Sequence, residues 1–109
     1  MIQHPPTLIG TAALVLTPGD PRVIVGERRA VLRPQELALL ELFARDPSRL
    51  LNTATLAKQL ARGHKPLTKT TVAVHVHRLR KRLQPLGLTI RTFRGAGYTV
   101  EPIENHERD

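Results

Sequence analysis

The sequence predicts an α+β fold: an N-terminal antiparallel β-meander, three helices and a C-terminal β-hairpin. Three observations predict it. Short β-prone runs separated by turn residues fill Ala13 to Leu32. Three stretches of helical periodicity, each with start and stop residues, fill Pro34 to Gln84. An alternating segment, Leu88 to Arg94, is followed by Gly95-Ala96-Gly97 and a short return. A chain of 109 residues holds one such domain with one core. Leu, Ile, Val and Phe supply 32 of those residues, well above the level of a disordered polypeptide. With only Phe43, Phe93 and Tyr98 as aromatics, the core must be aliphatic.

Residues 1–11 contain Pro5 and Pro6 and show no period, so they are expected to form a flexible arm. In the meander, Leu14-Val15-Leu16 is the first run, and Thr17-Pro18-Gly19-Asp20-Pro21 is a dense turn signal. Arg22-Val23-Ile24-Val25 is the second run, closed by Gly26-Glu27, and Arg28 to Leu32 is the third. The first helix starts at Pro34, where a missing N–H costs nothing. Leu37, Leu40 and Ala44 form its apolar face, and Asp46-Pro47 stops it near Arg45. Glu36 and Glu41 are expected on its solvated face. Asn52 caps a second helix with Leu56 and Leu60 at i, i+4 spacing, ended by Gly63.

Thr68 caps a third helix that runs to about Gln84, before Pro85. At about 100° per residue, Val72, Val76, Leu79 and Leu83 fall in a stripe about 60° wide, a narrow seam facing a core. Thr70, Val74, His77, Arg78 and Lys81 lie opposite it. Thr71, His75 and Arg82 occupy one flank, Ala73 and Arg80 the other. The polar side therefore carries several cations and no acid, with small residues near its N-terminal end. In the final hairpin Ile90 and Thr92 share one face, Arg91 and Phe93 the other, and Arg94 stands at the tip. The domain is expected over 12–101, with an acidic tail over 102–109.

Charge gives the first functional direction. Seventeen Lys and Arg face nine Asp and Glu, a net charge of +8. No acid occurs between Asp46 and Glu101, a segment with eleven cations. So lopsided a surface repels itself unless a polyanion neutralises it. Nucleic acid is the leading partner, an anionic membrane surface the second. The absence of cysteine excludes a disulfide framework, a thiolate nucleophile and a thiolate metal site, and fits a cytoplasmic setting. No apolar run approaches the roughly 18 residues of a membrane span, and Met1 to Thr11 lacks a signal-peptide pattern.

Enzyme readings find no constellation. His75 and His77, two apart on a helix, point about 200° from each other and cannot share one metal ion. Gly95-Ala96-Gly97 lacks the following helix and Lys-Ser/Thr pair of a phosphate loop. Ser48, the only serine, sits beside Pro47 with no histidine partner in prospect. No cofactor is expected.

The order strands, helix, helix, basic helix, hairpin matches a winged helix-turn-helix, and three motifs narrow the match. Leu32-Arg33-Pro34-Gln35-Glu36 followed by Leu39-Leu40 resembles the first-helix entry "L-T-P-x-E-x-x-L-L" of OmpR/PhoB-type transcriptional regulators. Thr71 to Leu83 resembles their recognition helix, "T-V-D-V-H-I-x-R-L-R-K-K-L". Ile90 to Tyr98 resembles their wing, "I-x-T-V-R-G-x-G-Y".

The resemblance implies a third helix in the DNA major groove and a wing arginine in the neighbouring minor groove. Arg78 would read a base, because an arginine fork onto guanine O6 and N7 is the commonest specific contact. Val74 would meet a thymine methyl. Thr71, His75, Arg80, Thr92 and Gly95 would contact phosphates, and Arg94 would enter the minor groove. Thr70, His77, Lys81 and Arg82 complete the expected DNA-binding set.

Ala73 replaces the usual Asp, His77 a commonly basic or small residue, and Arg33 the Thr that would cap the first helix. That cap is worth about 1 kcal/mol, lost unless another group supplies it. The resemblance also implies a phosphorylated receiver domain for which this chain has no room. An excised effector domain and a stand-alone regulator remain the two options, Met1 favouring the second.

The expected function is sequence-specific regulation of transcription on double-stranded DNA, bacterial and nucleoid-associated. A monomer in solution, paired head to tail on direct repeats, fits the resemblance. The resemblance implies RNA polymerase as a further partner, through the loop Ala61 to Lys69, with repression by occlusion of the DNA equally open. The competing readings are a winged-helix module docking on RNA polymerase or another regulator, and a non-specific DNA-coating protein.

Overall fold

In the computed structural model, residues 5–47 and 49–103 are described. The chain opens with four strands, β1 (Thr7–Ile9), β2 (Ala12–Leu16), β3 (Arg22–Val25) and β4 (Arg28–Val31), in one antiparallel sheet of that order. The helices α1 (Pro34–Arg45), α2 (Thr53–Ala61) and α3 (Lys69–Leu83) follow. A 3-10 turn, Gln84–Leu86, leads into the hairpin of β5 (Leu88–Phe93) and β6 (Gly97–Pro102). Among the described residues, no helix is long and apolar enough to cross a membrane.

The meander and three helices match the sequence expectation, but its edges need correction. The arm expected over residues 1–11 includes a fourth strand. Thr7, Leu8 and Ile9 pair with Leu14, Ala13 and Ala12, and Ile9 is buried. Alternating burial of a single apolar side chain in three residues is too short a pattern to stand out from sequence. At the other end, Pro102 belongs to β6, and the Ile103 N–H donates to the Gly87 carbonyl at 2.9 Å. The rest of the expected tail, 104–109, lies outside the described residues, as do residues 1–4 and Ser48.

One aliphatic core joins all parts. Leu14 and Val23 from the sheet meet Leu39, Leu40 and Phe43 of α1, Leu56 of α2, the α3 seam and Leu88 of β5. Val72, Val76, Leu79 and Leu83 are all buried, each contributing about 1.5–3 kcal/mol relative to exposure. This seating of α3 turns the opposite face outward.

Helix ends follow local chemistry. The Asn52 side chain accepts from the Thr55 N–H at 2.7 Å, and the Thr68 hydroxyl accepts from the Thr71 N–H at 3.1 Å. The stop of α2 is Arg62, which takes the left-handed conformation one residue before the expected Gly63.

At α1 the Arg33 guanidinium has only donors and cannot replace a threonine cap. The Glu36 carboxylate takes over part of the role by accepting the Arg33 N–H at 2.9 Å. Glu36 is thereby removed from the solvated face expected for it. It is 5% exposed and also accepts from Arg82 Nε at 3.1 Å. Glu41 is half-buried and accepts the Gly19 N–H at 3.1 Å. A carboxylate one turn into a helix can serve backbone N–H groups as well as water, and the periodicity alone did not separate the two.

The wing is anchored to the helical layer by a short bridge. Leu51, just before α2, exchanges two backbone hydrogen bonds with Tyr98, both 2.8 Å. Gly97 lies against this bridge at φ 149°, and a Cβ there would run into the Leu51 carbonyl. Only glycine meets both conditions. Gly97→Ala is expected to cost about 1–3 kcal/mol, read as a lowered urea midpoint. An unchanged midpoint would mean that the Leu51 segment moves aside without cost.

Candidate nucleic-acid interface

Helix α3 and the β5–β6 hairpin carry seven of the eleven basic side chains between Asp46 and Glu101. On α3, Thr70, Val74, His77, Arg78, Lys81 and Arg82 are exposed, while Thr71, His75 and Arg80 are half-buried on its flanks. On the wing, Thr92, Arg94 and Gly95 are exposed. The twelve residues expected from sequence therefore divide between these two neighbouring elements, and none belongs to the core. A basic helix face beside a thin hairpin suits a groove flanked by phosphates.

Several of these side chains already have protein partners. Arg80 Nε donates to the Ile90 carbonyl and its terminal nitrogen to the Thr92 hydroxyl, both at 2.9 Å. Arg80 thus ties α3 to the wing. The Thr71 hydroxyl shares a 2.9 Å hydrogen bond with the Thr68 hydroxyl at the helix cap. Arg82 Nε is held by Glu36, although 43% of the Arg82 side chain stays exposed. Across the outer face of the hairpin, the Arg91 guanidinium stacks 4.8 Å over the Phe93 ring.

Two clefts extend the basic surface beyond the expected residues. One runs between the wing tip and the start of α2, lined by Asn52, Thr53, Lys69, Thr92 and Arg94 among others. The other lies between the start of α1 and the later turns of α3, lined by Arg33, Glu36, Arg78, Lys81 and Arg82. Sequence reasoning missed Lys69 and Arg33 as surface partners and Leu51 as the wing's anchor. The signals available were weak: Arg33 stood out only as a departure from a motif, and Leu51 as one apolar residue before a cap.

Three comparisons bear on this geometry. Residues 27–100 match the family model described as "Transcriptional regulatory protein, C terminal". The transcriptional regulatory protein QseB of Escherichia coli O157:H7 is 36% identical over 87 residues, 80% of this chain and 39% of that protein. The phosphate regulon transcriptional regulatory protein PhoB of Escherichia coli K12 is 34% identical over 93 residues, 84% of this chain and 41% of that protein. The chain thus spans about two fifths of the curated relatives it matches. The DNA-binding domain of RstA from Klebsiella pneumoniae, solved in complex with the RstA box, superposes with a TM-score of 0.69. That match covers 91% of this chain and 99% of the RstA chain at 23% identity, a likeness of fold.

Replacing Arg80 by lysine keeps the charge but loses the planar fork that reaches two acceptors. Arg80→Lys is expected to raise local opening of the wing by about 1 kcal/mol, or about fivefold in amide exchange along β5 and β6. Exchange rates equal to wild type would show that Arg80 does not hold the wing.

Proposed function

This chain belongs to the transcriptional regulatory protein C-terminal family, the OmpR/PhoB type of winged helix-turn-helix, and from that premise we propose that it is a sequence-specific regulator that binds double-stranded DNA with α3 in the major groove and the wing in the adjacent minor groove. The observation that carries this reading is the outward face of α3. It is free of acid, bears Arg78 and Lys81, and lies beside a wing tipped by Arg94. The family is one of transcription regulators and not of enzymes.

Roles follow from position. Arg78, exposed in the middle of the outward face, offers its fork to guanine. Val74, 40% exposed one turn earlier, suits a thymine methyl. Thr70, His77 and Lys81 on the outward face and His75 on its flank offer phosphate contacts. Arg94 enters the minor groove, helped by a tip that carries no bulky side chain at Gly95. A narrow A·T-rich groove concentrates the negative potential that draws an arginine in. Arg80 and Thr92 act first on each other, which sets the distance between the two readers.

The protein acts as a monomer that pairs head to tail on direct repeats in the bacterial nucleoid, and RNA polymerase is the further partner for the loop between α2 and α3. Footprints on selected sites should show repeats about one helical turn apart. Footprints confined to inverted repeats would contradict the tandem arrangement.

The reading is tested on a duplex selected from a random pool, against a scrambled duplex. Wild type should prefer the selected duplex by about 10³ or more. A ratio near one would favour a coating protein, and no binding at moderate salt a protein-docking module. Arg78→Ala should cost about 1–3 kcal/mol and relax preference at one base position. Arg94→Ala should instead erase preference for A·T flanks, with the base preference read by Arg78 kept. Identical flank preference in Arg94→Ala and wild type would remove the wing from the minor groove.

A further inference from the structure

We infer that the cleft between the start of α1 and the later turns of α3 is an additional contact for a DNA backbone phosphate, with Arg33 as its outer ligand. The inference rests on the DNA-binding reading above and extends the contacted strand beyond the recognition helix to a helix outside the helix-turn-helix.

The cleft holds four cations and one carboxylate, from Arg33, Arg78, Lys81, Arg82 and Glu36. The carboxylate is already committed. Glu36 is 5% exposed, accepts the Arg33 N–H at 2.9 Å, and accepts Arg82 Nε at 3.1 and 3.3 Å from its two oxygens. What the cleft presents to solvent is therefore an excess of positive charge, with Arg33, Arg78, Lys81 and Arg82 all exposed. Such clusters of guanidinium and ammonium groups match the oxygens of a phosphodiester, which they hold with charge-assisted hydrogen bonds. The N-terminal end of α1 forms one wall, and its dipole adds positive potential.

Position favours a phosphate of the bound duplex over a freely diffusing anion. Arg78, the base reader, lines the same cleft as Arg33. Arg33 stands where the resembling motif has threonine, so the contact is a property of this chain. Arg82 is turned toward the cleft by its bond to Glu36, and Glu36 thereby positions a cation while it completes the start of α1.

The test is Arg33→Thr, which removes the guanidinium and supplies a residue able to cap α1. Binding to the selected duplex is measured between about 50 and 200 mM salt, where losing one phosphate contact lowers the slope by about 0.9. Wild type should then lose about 3.5 times more affinity than the variant across that range. A duplex with one neutral methylphosphonate beyond the base site should weaken wild type and leave Arg33→Thr unaffected. Base preference should be the same in both proteins.

If wild type selects a duplex and Arg33→Thr retains the full slope, the cleft makes no strand contact and the inference falls alone. It falls alone too if inorganic phosphate saturably shifts the Arg33 and Glu36 amides while the DNA slopes agree, since the cleft is then a small-anion site. If wild type selects no duplex, the DNA-binding reading falls and takes this inference with it.

Discussion

The rotation at which α3 is seated decides what this protein offers to a partner, and four aliphatic side chains set that rotation. Val72, Val76, Leu79 and Leu83 are buried against α1, α2 and β5. Turning the helix by one residue, about 100°, would expose part of the seam and bury cations. Burial of four side chains at about 1.5–3 kcal/mol each opposes such a turn. The outward direction of Arg78 and Lys81 is thus a consequence of core packing. The middle of the polar face, with Arg78 and Lys81, takes no part in that packing.

A second set of interactions fixes the pieces around that helix. Arg80 joins α3 to β5 through the Ile90 carbonyl and the Thr92 hydroxyl. The Leu51–Tyr98 bridge joins β6 to the segment before α2. Arg82 joins α3 to α1 through Glu36. Helix α3 is therefore tied on one flank to the wing and on the other to the start of α1. One basic cleft lies along the seam with α1, and the other lies between the wing tip and the start of α2.

The helices and the hairpin were legible because their signals are local. The Thr68 and Asn52 caps, the Pro85 stop and the narrow α3 seam each depend on residues within a few positions of one another. The three motifs then gave the family, since they combine turn chemistry with the core pattern. What escaped was non-local. The strand Thr7–Ile9 exists because β2 is there to pair with it. Glu36 is buried because Arg82, 46 residues later, comes to meet it. The family resemblance implied a phosphate contact for Arg80 while the helical wheel put it on a flank, and only the position of β5 reveals its two acceptors. Gly97 read as a turn residue, whereas its deeper constraint is the backbone of Leu51.

Which groove each element faces is the central question, and methylation interference with dimethyl sulfate on a selected duplex answers it in one measurement. Guanine is modified at N7 in the major groove and adenine at N3 in the minor groove. Binding should be lost at a guanine N7 within the site, assigned to α3, and at adenine N3 positions in the flanking minor groove, assigned to the wing. Binding that is indifferent to N7 methylation on a duplex the protein demonstrably selects would contradict a recognition helix in the major groove.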